Sequence, residues 1–190
     1  MLTIRQRKIY LKKLGYYSGK INSIEDAELK QAYKELQDDY FKSKKDRDGV
    51  YGKNTDILLQ NAYKVRVYTT SFDAKEFRCG CGGQYCTGYP VVLDTQLLKN
   101  LQKVRTKFGA TTITSGMRCK TYNNSLVGSS TVSRHMSGKA VDIYNTKTRN
   151  EAGRKVVMDY WKKLPKYNYT YCNLGNNHPN MGNAVHVDVK

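Results

Sequence analysis

Ser133-Arg-His-Met-Ser-Gly-Lys-Ala-Val-Asp-Ile-Tyr144 and Ala184-Val-His-Val-Asp-Val189 are the two stretches whose reading decides this chain. In the second, apolar and polar residues alternate. Successive side chains of a strand point to opposite faces, so Val185, Val187 and Val189 belong to a core, and His186 and Asp188 share the other face. The first stretch ends in the same pattern. Val141 and Ile143 face inward, and Asp142 lies with Ala140 on the opposite face. His135 stands just upstream, in a turn rich in Ser and Gly. If the two strands are neighbours, one sheet face gathers His135, Asp142 and His186.

Two imidazoles and one carboxylate suit a single catalytic zinc ion. Three protein ligands hold such a metal and leave a position for water, which it activates while polarising a carbonyl. Taken singly, His135 reads as a turn residue and Asp142 as a buried hydrogen-bond acceptor. Three polar groups interrupting two strand patterns in the same sense read as a site.

Around these strands the pattern is mixed. Asp94 or Thr95 caps a helix with Leu97, Leu101, Val104 and Phe108 on one face, and Gly109 stops it. Thr111 to Thr114 reads as a strand, and Tyr169 to Leu174 as another. Glu151 to Leu164 is expected as a helix burying Val156, Val157, Tyr160, Trp161 and Leu164. Helices and strands alternate irregularly, which favours an α+β fold: a small antiparallel sheet with flanking helices.

The first third differs. Thr3-x-x-Gln6 is a capping box opening a helix that buries Leu11 and Leu14 and ends at Gly15. A second helix starts near Asp26 and carries Leu29, Ala32, Tyr33, Leu36 and Tyr40 at helical spacing. A third starts at Asn54 or Thr55 and buries Leu58, Leu59, Ala62 and Val65. Leu29-Lys-Gln-Ala-Tyr-Lys34 is echoed by Leu59-Gln-Asn-Ala-Tyr-Lys64, which suggests a duplicated loop–helix unit. The expected division is a three-helix domain over 1–66, a linker and lead-in over 67–90, and the α+β domain over 91–190.

Composition narrows the function. The 190 residues carry 33 Lys+Arg against 16 Asp+Glu, a net charge of +17. Such a surplus points to a polyanionic partner such as a phosphate-bearing bacterial wall, an anionic lipid or a nucleic acid. No nucleic-acid motif accompanies the dispersed basic residues, so no nucleic-acid partner is expected. No run approaches the ~20 apolar residues of a membrane span. The first residues show no apolar segment of a signal peptide, so a protein made in the bacterial or host cytoplasm is expected.

Ser133-x-His135-x-x-Gly138-x-Ala140-x-Asp142, followed by His186-Val-Asp188, resembles the zinc D-Ala-D-Ala carboxypeptidase and endopeptidase family, peptidase M15, whose fold hedgehog signalling domains share. Phe77-x-Cys79-x-Cys81-Gly, Thr112-Ile-Thr-Ser-Gly-Met-Arg118-Cys119 and Tyr122-Asn123 resemble its branch found in bacterial and phage wall hydrolases. The resemblance spans about residues 70–190. Separately, Leu14-Gly15-Tyr16-Tyr17 and Asp48-Gly49-x-Tyr51-Gly52-x-x-Thr55 resemble the three-helix peptidoglycan-binding domain, although Asn22 to Asp26 lacks that family's Asp-Gly.

The resemblance implies zinc on His135, Asp142 and His186 and hydrolysis of the peptide part of peptidoglycan. An endolysin acting as a monomer on the wall after release is expected, with anionic wall polymers as further partners. Arg118 follows a strand and a Ser-Gly turn. Its fork suits a substrate carboxylate or an oxyanion. Ser133 is a second candidate for substrate binding, though a turn-forming serine explains it equally well. Many relatives place an acid three residues before the last histidine, where this chain has Asn183. An amide cannot accept a proton at useful pH. Asp188 is therefore the expected proton carrier, with His178 second and an orienting role for Asp188 as the alternative. Cys79-x-Cys81-x4-Cys86 lacks the usual C-x2-C spacing of a zinc site, so the five cysteines are expected as free thiols or one disulfide, with a second metal site as the weaker alternative. The rival readings are a non-catalytic wall-binding protein with a structural zinc site and a basic nucleic-acid-binding protein.

Overall fold

The structure is a computed structural model and describes residues 1–190. Its sheet has four antiparallel strands, β1 (Thr111–Ser115), β2 (Ala140–Asn145), β3 (Tyr167–Cys172) and β4 (Val185–Val189), in the order β1-β2-β4-β3. The fold is α+β, as the irregular order of elements implied. β2 and β4 are direct neighbours: Val141 pairs with Val187 and Ile143 with Val185 on the core face.

That core face is covered by α4 (Thr95–Phe108) and α6 (Glu151–Lys162), with the short α5 (Lys120–Ser125) between them in the chain. Asp94 caps α4 by accepting hydrogen bonds from the amides of Gln96 and Leu97, and Gly109 ends it. Leu97, Leu98, Leu101 and Val104 are wholly buried. In α6 the buried stripe is Gly153, Val157 and Trp161, spaced four apart. Val156 was expected in the core but is 45% exposed, because it lies one residue out of phase with that stripe. Trp161 closes the contact by donating from Nε1 to the Asp188 carbonyl, 3.0 Å.

Three helices precede this layer: α1 (Ile4–Leu14), α2 (Ala27–Tyr40) and α3 (Lys53–Tyr68). The Thr3–Gln6 capping box and the left-handed Gly15 cap delimit α1. α3 begins earlier than its Asn and Thr residues suggested, with Gly52 in the N-cap position. α3 also packs on the second part of the molecule. Asn61 donates to the Val91 carbonyl at 2.9 Å and accepts from the Leu93 amide at 2.8 Å, and Lys64 donates to the Leu93 carbonyl at 2.8 Å. One continuous apolar core runs from Leu11 through Leu59 and Leu97 to Val189.

The stretch 67–90 is folded rather than extended. A 3-10 turn spans Ala74–Phe77, and Phe77, Cys79 and Tyr89 are buried. No helix is long and apolar enough to cross a membrane.

Candidate metal centre

Register assembles the site. Asp142 pairs directly with His186 across β2 and β4, Ser115 with Asp142 across β1 and β2, and Tyr171 with His186 across β3 and β4. Ser115, Asp142, His186 and Tyr171 thus form one row across the face opposite the core. His135 reaches the row from a 3-10 turn, Arg134–Ser137, which ends at Gly138 with φ +69. A β-carbon at Gly138 would stand 2.5 Å from the Val92 carbonyl oxygen, so this turn admits no side chain there.

Three donor atoms converge. His186 Nδ1 is 2.8 Å from Asp142 Oδ1, His135 Nε2 is 3.4 Å from the same oxygen, and the two ring nitrogens are 3.3 Å apart. All three side chains are buried. The Gly116 carbonyl lies 2.7 Å from His135 Nδ1 and can only accept, so the proton sits there. That leaves the Nε2 lone pair facing Asp142. Burial opposes ionisation of Asp142, but the His135 and His186 imidazoles set against it hold its carboxyl well below the usual carboxylate range. Burial also lowers His186, and its contacts with Asp142 and Asp188 raise it above the ordinary imidazole value. A cation is thus favoured where these atoms meet. Two nitrogens and one oxygen are the donor set of a catalytic zinc site, and the residues fit that ion.

Asp188 is held by several partners. Its Oδ1 accepts from the Tyr169 amide at 2.6 Å and from Asn168 Nδ2 at 3.0 Å. Its Oδ2 lies 3.6 Å from His186 Nε2 and 3.7 Å from Arg134 Nε. It therefore faces the ring nitrogen of His186 that points away from Asp142. Asn183 accepts from Arg154 Nη1 at 2.9 Å and serves the packing of α6.

Arg118 lies beside the same row of residues. Its Nη2 is 3.1 Å from Asp142 Oδ2 and 3.0 Å from Ser115 Oγ. The other terminal nitrogen has no protein partner. A cleft of about 860 Å³ opens over the three donors, and Arg118, Ser133, His178 and Asp188 line it as well. The Ser133 hydroxyl makes no cap hydrogen bond. His178 is exposed at the rim, its ring 5.0 Å from that of Tyr171, which stacks on His186 at 4.7 Å.

Tyr171 and Arg134 were not foreseen as part of the site. Tyr169 to Leu174 was expected as a strand, but nothing in the sequence showed that this strand would pair with β4. The five cysteines are free thiols, one of the two expected outcomes, and spacing along the chain did not show that Cys79, Cys81, Cys86 and Cys119 come together with sulfurs within 4.8 Å of one another.

A model of the peptidase M15 family matches residues 50–169. That span holds Arg118, Ser133, His135 and Asp142; His186 and Asp188 lie beyond it and join the site through strand pairing. No curated protein was found to match the chain.

Proposed function

The chain belongs to the peptidase M15 family, and from that premise we propose that it is a zinc-dependent hydrolase of amide bonds in the stem peptide or cross-link of bacterial peptidoglycan. The observation that carries this reading is the meeting of His135 Nε2, Asp142 Oδ1 and His186 Nδ1 on the floor of an open cleft. These three residues would hold one zinc ion, which supplies Lewis acidity toward a carbonyl and toward water.

The chain's own residues do the rest. Asp188 orients His186 from behind and favours the tautomer with its proton on Nε2. Arg118 braces Asp142 with one terminal nitrogen and offers the other to a substrate carboxylate or a developing oxyanion. Ser133 offers a free hydroxyl to the substrate. His178, on the exposed rim, is the proton carrier in this reading, because Asp188 is already occupied by His186, Arg134, Asn168 and Tyr169. The net charge of +17 would hold the protein on walls bearing anionic polymers. The helical first third would add a second hold on the same insoluble substrate. An endolysin acting after release from the cytoplasm fits these features.

The test is digestion of purified cell walls. Free amino groups should be released by the zinc-loaded protein and not after chelation or by His135→Ala. Mass spectrometry of the released muropeptides identifies the bond. Walls left intact by zinc-replete protein would overturn the proposal.

A further inference from the structure

We infer that Cys79, Cys81, Cys86 and Cys119 form a second metal site, a closed tetrathiolate that binds one structural zinc ion, independent of the catalytic reading. Four sulfurs lie within 4.8 Å of one another, and Cys81 and Cys86 are 3.5 Å apart. That separation is far beyond the ~2.05 Å of a disulfide. It is close to the ~3.8 Å edge of a tetrahedron of sulfurs around zinc at ~2.3 Å. Backbone amides already point at the sulfurs. The Cys119 amide donates to Cys79 Sγ at 3.3 Å, and the Gly88 amide donates to Cys86 Sγ at 3.4 Å. Such donors favour the thiolate, which is the ligand form.

The surrounding chain is built for a tight wrap. Gly82, Gly83 and Gly88 all have positive φ, so the segment after Cys79 curls back until Cys86 meets Cys81. Cys79 donates its amide to the Gly88 carbonyl at 2.8 Å, closing the loop at its base. Between Cys81 and Cys86 the chain offers only Gly82, Gly83, Gln84 and Tyr85, with Tyr85 exposed. The loop buries little apolar surface of its own, which is the usual circumstance of a metal-stapled segment. Four protein ligands leave no open position, so this ion would be structural. Its fourth ligand, Cys119, follows Arg118 directly. The metal would therefore pin the Cys79–Gly88 loop to the turn that aims Arg118 at Asp142.

The experiment uses the full chain, purified with zinc and reductant, and elemental analysis. Wild type should carry two zinc ions per chain. The double variant His135→Ala/His186→Ala should carry one. After exchange for cobalt, that variant should show an intense thiolate-to-cobalt charge-transfer band. Cys81→Ser/Cys119→Ser should lose the band and one equivalent of metal. Because the cysteine variant can fail to fold, the histidine variant decides: if it holds no metal and shows no thiolate band, the inference is overturned. A non-reduced mass showing a Cys81–Cys86 disulfide in freshly purified protein overturns it as well. Failure of the catalytic reading gives a separate result: wall cleavage is absent while the thiolate band persists.

Discussion

His186 works through both ring nitrogens, one toward Asp142 at 2.8 Å and the other toward Asp188 at 3.6 Å. Asp188 should therefore matter for metal affinity more than for proton transfer. Asp188→Asn is expected to weaken zinc binding about 10–100-fold, measured by competition with a chromogenic chelator, and to recover turnover when zinc is saturating. His178→Ala should bind zinc normally and lose about 10²–10⁴-fold in kcat. The opposite pattern, with Asp188→Asn inactive at full zinc occupancy and His178→Ala unimpaired, would return proton transfer to Asp188. His135→Ala should lose metal from this centre and activity together, since three ligands leave none to spare.

Two contacts between elements set stability. In α6, a β-carbon at Gly153 would stand 1.7 Å from the Lys147 carbonyl oxygen, which belongs to the preceding turn. Gly153→Ala should cost about 3 kcal/mol, the upper end for overpacking. That lowers Tm by roughly 6–12 °C for a chain of this size, readable by calorimetry. Between α1 and α2, the buried Lys8 ammonium bonds to Asp26 and, at 2.8 Å, to Asn22 Oδ1. Burial lowers Lys8, but hydrogen bonds with Asp26 and Tyr17 raise it above its ordinary value. Asp26 is held below the carboxylate range by Lys8 and by the Leu29 amide. Stability from the depressed Asp26 is present above the ordinary carboxylate value, about 3.9, and is lost as pH falls through the folded value. Stability from the raised Lys8 is present below about 10.4 and is lost as pH rises through its folded value. Asp26→Asn keeps the helix cap but leaves Lys8 without its anion. Its urea midpoint should fall below wild type between pH 5 and 9, and the two should converge as pH drops below about 4. An equal deficit at pH 3 would show that the ion pair is not the cause.

At the scale of the whole molecule, the first three helices and the sheet share one core. α3 supplies Leu58, Leu59, Ala62 and Val65 to it and uses Asn61 to hold the chain at Val91 and Leu93. Removing residues 1–66 should therefore abolish cleavage of small soluble peptides as well as of intact walls, with a broadened or absent thermal transition. A truncated protein that folds and still cleaves soluble peptides would show that the helical part serves only wall binding.

Much of this was written locally. Alternation around Asp142 and His186 named the buried and open faces of β2 and β4, because side-chain direction in a strand depends only on parity. Caps such as Thr3, Asp26 and Asp94 marked helix starts, because their bonds span three residues. Tertiary structure decided what no short window contains. Val156 left the core because the phase of α6 is set by what it packs against. Tyr171 entered the site because β3 pairs with β4. Asp188 took the far side of His186 because strand register and Arg134 place it there. Cys119 joined three cysteines some forty residues away because β1 and its turn fold back on the Phe77 segment, where the Met117 amide bonds to the Phe77 carbonyl at 2.9 Å. Spacing along the chain measures distance only within an element; between elements, the shared core sets it.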